Sequence, residues 1–100
     1  MIHKLVKFKA KKENIEEVIR LIENFLDKIL ENEPDTLYYE SIQEEDQISF
    51  IHVITFNNDE ARKKHESTSY VKEFIGNLYP LLEAEPTFSN YKIIRSIKRY

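Results

Sequence analysis

Apolar residues in this chain recur at two spacings, and the order in which those spacings alternate limits the fold more than anything else in the sequence. Residues 2–9, IHKLVKFK, alternate at every second position. Ile2, Val6 and Phe8 share one face with Lys4, and His3, Leu5, Lys7 and Lys9 share the other, the pattern of a strand. From about Lys12 to Glu31 the spacing becomes three and four: Ile15, Val18, Ile19, Ile22, Phe25, Leu26, Ile29 and Leu30 form one helical stripe. Asn14 with Glu17 three residues later predicts a capping box at its start, and Asn32-Glu33-Pro34 predicts its end. Residues 36–42 and 48–56 alternate again around the acidic turn Glu44-Glu45-Asp46, which predicts a hairpin. In the second of these runs Ile48, Phe50, Ile54 and Phe56 share a face with His52, and Ile51 and Val53 point the other way.

Asn57 with Glu60 predicts a second capped helix, short, ending near His65 or Glu66. Ser67-Thr68-Ser69 breaks it and supplies caps for a third helix, whose stripe is Val71, Phe74, Ile75, Leu78 and Leu82. Pro80 bends or ends that helix, because proline has no N–H and crowds the preceding turn. Residues 91–100, YKIIRSIKRY, read as the last strand. The order is therefore βαββαβ, and the α+β architecture expected is a ferredoxin-like, four-stranded antiparallel sheet with helices on one side. No linker or repeat interrupts it, so residues 1–100 form a single domain.

Composition narrows the chemistry. There is no cysteine and there is one glycine, which excludes thiolate sites and a glycine-rich phosphate loop. A net charge of −3 gives no basic footprint for nucleic acid. The third strand, IHVITF, also lacks the glycine and basic lead of an RNA-binding strand. No apolar run approaches the roughly 20 residues that span a bilayer, and the charged, alternating start is not a secretory signal. The expected location is the cytoplasm. Three scattered histidines predict no metal site.

The helices cover one sheet face only, yet the second face carries Leu5, Tyr38, Ile42, Ile51 and Val53 among its charges. A water-facing antiparallel face alternates more cleanly. The expectation is a homodimer made by pressing two open faces together, against the plainer alternative of scattered surface apolar residues.

With these elements placed, the chain resembles the antibiotic biosynthesis monooxygenase family of dimeric α/β-barrel domains. The resemblance is carried by Glu33-Pro34-Asp35-Thr36-Leu37-Tyr38-Tyr39-Glu40, by Ala61 with His65 four later, by Ser67 and Thr68, and by Phe74 through Leu78-Tyr79-Pro80-Leu81-Leu82. It implies a pocket between sheet and helices, and in some members oxygenation of quinols or aromatic polyketides with no metal or flavin. Tyr70 stands where related isomerases have a second histidine, and Ile54 where many members have a glutamate. Ile75 stands near the haem-ligating histidine of the haem-degrading members, so haem degradation is not expected.

On this resemblance the chain is expected to oxidise a small aromatic with dioxygen and no cofactor. His65 is the candidate base, because imidazole accepts a proton near neutral pH. Tyr39 and Tyr70 are the candidate orienting groups. Phe8, Phe25, Phe50, His52, Ile54, Phe56 and Phe74 are the candidate pocket wall. By residues alone, His65 is better read as a partly exposed helix end bonded to a carbonyl, and His52 as a buried, hydrogen-bonded structural histidine; the family position raises His65 to an even case. The alternative for the whole chain is a non-catalytic ligand-binding or interaction domain on the same scaffold.

Overall fold

Four strands and three α-helices form in the order that the periods predict. In the computed structural model, which describes residues 1–100, they are β1 (Ile2–Lys9), α1 (Ile15–Asn32), β2 (Thr36–Gln43), β3 (Ser49–Phe56), α2 (Asp59–Ser67), α3 (Ser69–Leu78) and β4 (Thr87–Tyr91). The strands make one antiparallel sheet in the order β2-β3-β1-β4, the ferredoxin-like arrangement. β1 aligns with β3 so that Val6 faces His52 and Phe8 faces Phe50. This register puts the predicted inner face of β3 under the helices, except that Ile48 falls just before the strand and is half-buried. Phe50, His52, Ile54 and Phe56 are all buried, while Ile51 and Val53 lie half-buried on the open side.

Helix α1 buries Val18, Ile22, Phe25 and Ile29, one residue per turn. Each such burial stabilises the fold by about 1.5–3 kcal/mol. Its Phe25 ring stacks on Phe74 of α3 with centroids 4.0 Å apart, which ties the two long helices together over the sheet. The core cluster runs from these rings through Phe8 and Phe50 to Leu78 and Leu82. A smaller cluster of Ile54, Phe56 and Ala61 seats α2 on the sheet, the small Ala61 letting the helix come close.

Three local expectations are corrected. Asn14 makes no side-chain cap; α1 is entered through a 3-10 turn at Lys12–Asn14. The cap of α2 is Asn58, one residue later than Asn57, with its side-chain oxygen accepting from the Ala61 N–H at 2.9 Å. The last strand is Thr87–Tyr91, not 91–100. β4 pairs with β1 from Thr87 opposite Lys7 to Tyr91 opposite His3. Beyond Tyr91 only Ile2 and Met1 remain on the neighbouring strand, so the apolar run 92–100 has no ladder to join and continues without regular structure. Pro80 acts as predicted: α3 ends at Leu78 and a 3-10 turn follows at Tyr79–Leu81.

Candidate functional site

Pro34 is where the site begins. The residue before a proline is pushed out of helical geometry, and Glu33 takes φ −128° and ψ 73° as α1 ends. Its side chain is carried beneath α2 and α3, where the residue is only 4% exposed. A carboxylate buried at a helix C-terminus meets the negative end of the dipole and has lost its water. It therefore needs several donors, and it has three. Oε1 lies 2.8 Å from His65 Nδ1 and accepts from the Thr36 hydroxyl at 2.8 Å; Oε2 accepts from the Tyr70 hydroxyl.

His65 comes from the last turn of α2, four residues after Ala61 and on the same buried face. It is 7% exposed, and Thr68 locks its backbone: the Thr68 hydroxyl donates to the His65 carbonyl at 2.9 Å and accepts from the Val71 N–H at 3.2 Å. With Nδ1 facing a carboxylate, the neutral ring carries its proton there, and the lone pair resides on Nε2. Nε2 makes no hydrogen bond within the chain.

The same ring lines a cavity of about 190 Å³ between the sheet and helices α2 and α3. Its floor is Phe8, Phe25, Phe56 and Phe74, with Tyr39 and His52 from neighbouring strands. Its mouth is marked by the half-exposed Lys4, paired with Glu66 at 3.6 Å, and by Phe88, which is 63% exposed. A 150 Å³ apolar cavity is about enough for benzene, so this one has room for one or two rings. His52 and Tyr39 form a second polar pair in the wall, with Tyr39 Oη 3.0 Å from His52 Nδ1. Burial depresses the His52 pKa to about 4, so the ring is neutral. Burial, reinforced by the charge of Glu33, pushes the Tyr39 hydroxyl far up, so it stays protonated. Burial and the bond to Glu33 do the same to Tyr70. No three histidine, aspartate or glutamate side chains converge into a set that could hold a metal ion.

This sequence matches the antibiotic biosynthesis monooxygenase family over residues 1–77. The chain belongs to that family. Solved structures share its fold at low sequence identity. One is of an antibiotic biosynthesis monooxygenase, at 17% identity over 95% of this chain and 100% of that one, with a TM-score of 0.85. A conserved protein from Methanosarcina mazei Go1 is 20% identical over 91% and 90% of the two chains, with a TM-score of 0.84. Rv0793 from Mycobacterium tuberculosis is 9% identical over 97% and 98%, with a TM-score of 0.85. No curated protein matches the chain significantly.

Within this family scaffold, the cavity collects His65, Tyr39, His52, Phe8, Phe25, Ile54, Phe56 and Phe74 from the sequence-derived set. It does not collect the other two. Phe50 lies deeper in the core, stacked on Phe8 at 5.4 Å, and Tyr70 faces a separate groove while its hydroxyl reaches Glu33. Glu33 is the residue that sequence reasoning missed. It stands in the stretch that carries the family resemblance, but its partner is 32 positions away, and only the fold brings them together. The chain has no helix long and apolar enough to cross a membrane.

Proposed function

We propose that this protein is a cofactor-independent monooxygenase that uses dioxygen to oxidise a quinol or other small hydroxylated aromatic. Family membership supports oxygenase chemistry. The observation that carries the reading is the buried Glu33–His65 pair, which leaves one imidazole nitrogen free at the wall of an apolar cavity. Nε2 takes the proton of a substrate hydroxyl, and Glu33 stabilises the imidazolium that results. The phenolate is electron-rich, and a ring carbon that bears hydrogen, para to it in a phenol or naphthol and ortho to it in a quinol, donates electrons to dioxygen to form a C–O bond. That carbon then gives up its hydrogen as a proton while the O–O bond breaks and the new carbonyl forms. The distal oxygen leaves as water, taking that proton and the one held by His65. One dioxygen thus gives one quinone oxygen and one water. Tyr39 orients the substrate oxygen; Tyr70 acts one step back, by holding Glu33. The working unit in this reading is a homodimer joined through the open sheet faces, with one small aromatic per subunit and no nucleic-acid partner.

The test is oxygen uptake with a panel of one- and two-ring quinols and naphthols. The native chain is expected to consume oxygen with at least one of them, and His65→Ala to be slower by about 100-fold or more. No uptake by either protein removes the oxygenase reading for these substrates; equal rates remove His65 from the mechanism.

A further inference from the structure

His52 holds the least explained atom in the molecule. Its ring is in the cavity wall and 1% exposed; Nδ1 faces the Tyr39 hydroxyl at 3.0 Å, and Nε2 is sealed from solvent with no hydrogen-bond partner. A neutral imidazole has one N–H and one lone pair, so two arrangements exist. If Tyr39 donates to Nδ1, the proton of His52 sits on Nε2, a buried N–H with no acceptor. If Nδ1–H donates to Tyr39, the sealed Nε2 is a bare lone pair and the Tyr39 O–H is released. Orphaned buried N–H donors are rarer than under-used acceptors. The rings packed against the imidazole are Phe8 from β1, Tyr39 from β2 and Phe74 from α3, and Nε2 has no acceptor within hydrogen-bond reach.

We infer that His52 is a positioning residue that donates from Nδ1 to Tyr39, so that the Tyr39 hydroxyl proton points into the cavity as a hydrogen-bond donor for a ligand oxygen. The ligand class follows: an aromatic of one or two rings bearing an acceptor oxygen, either a carbonyl or a phenolate. A ligand offering only donors or only hydrocarbon leaves the Tyr39 proton unpaired in an apolar space, which is unfavourable. The inference rests on reading the cavity as a ligand site, as the proposed function does. It adds that the wall beside the base, where the Tyr39 ring lies 6.1 Å from that of His65, carries a donor whose direction a second residue fixes.

Acetophenone and ethylbenzene are the probes, because they match in size and differ in one carbonyl, and neither is an oxygenase substrate of the quinol type. Nitrogen-15 NMR of histidine-labelled native protein reads the tautomer, and the Nδ1–H form of His52 is expected; the Nε2–H form overturns the inference. On binding carbon-13-labelled acetophenone, the carbonyl stretch is expected to move to lower frequency in the native protein and to lose that shift in Tyr39→Phe. The acetophenone-to-ethylbenzene affinity ratio is expected to fall about tenfold in that variant. No shift in the native protein, no binding of acetophenone, or an unchanged ratio overturns it. The tautomer and the native stretch stand without any variant. They also stand apart from turnover: a protein that binds acetophenone in this way yet consumes no oxygen with quinols retains the donor and loses the oxygenase, and the converse result does the reverse.

Discussion

Glu33 is bonded by three donors from three elements, and this makes it the residue whose loss is felt most. Its removal leaves the His65 Nδ1–H and the Thr36 and Tyr70 hydroxyls without their acceptor, and at about 1–3 kcal/mol per unpaired buried group this costs at least about 3 kcal/mol. Glu33→Ala is expected to lose that much in urea unfolding. Glu33→Gln keeps the shape and an acceptor oxygen, so it is expected to lose less, about 1–3 kcal/mol. Oxygen uptake by Glu33→Gln should still fall about 100-fold or more, since a neutral amide no longer stabilises the imidazolium. A variant with full activity removes Glu33 from the site's chemistry. His52 makes a separate, pH-dependent contribution. Its pKa is near 4 in the fold and about 6.5 when free, so between those values the unfolded chain binds the extra proton. Its stabilisation is complete above pH 6.5 and is lost as pH falls toward 4, a total of about 3 kcal/mol at 1.36 kcal/mol per pH unit. The rings facing it are Phe8, Phe74 and the protonated Tyr39, and burial alone causes the shift, with no charged neighbour contributing. Urea unfolding of native protein and His52→Gln from pH 7 to pH 4 tests this. Their stability difference should shrink by about 3 kcal/mol across the range, and a constant difference refutes the assignment.

At the scale of elements, the joint between α2 and α3 sets the position of His65. Thr68 is at once the C-cap of α2 and the N-cap of α3, and its hydroxyl bonds to both. Thr68→Ala is expected to cost about 1 kcal/mol. In a domain of this size that is a fall of about 4–8 °C in Tm, measurable by calorimetry, with Thr68→Ser restoring most of it. Ser67→Ala, whose hydroxyl bonds only the exposed Lys64 carbonyl, should shift stability by less than about 0.5 kcal/mol. The elements were mostly legible in the sequence because each buries one face, and burial writes a period: α1 shows its stripe, β3 its alternation, and Pro80 its stop. What was not legible depends on pairing. The run 91–100 alternates no worse than β1, but a strand needs a neighbour, and register with β1 gives that place to Thr87–Tyr91. The site divides in the same way. His65 and the phenylalanines reveal themselves by type and by face. Glu33 reads as an ordinary polar helix end until the fold sets His65 2.8 Å away.

For the whole molecule, surface area argues for a partner. A monomeric protein of 12.0 kDa is expected to expose about 6,000 Å². This chain exposes 7119 Å², an excess on the order of 1,100 Å² over that scaling. Part of the excess is the 92–100 segment, with Ile93, Ile94 and Ile97 uncovered; part is the open sheet face. There, register sets Ile42 beside Ile51, and Val53 between Glu40 and Leu5. A stable dimer removes about 800 Å² per partner, which is most of what stands in excess. The chain is therefore expected to sediment at twice its 12.0 kDa mass. Val53→Arg offers a specific break. In a lone subunit the new guanidinium stands next to Glu40 and is tolerated; between two sheets it would be a desolvated charge in an apolar patch. Sedimentation of this variant at the single-chain mass, with its helix content retained by circular dichroism, is the expected result. A native protein that already sediments as one chain at tens of micromolar removes the dimer.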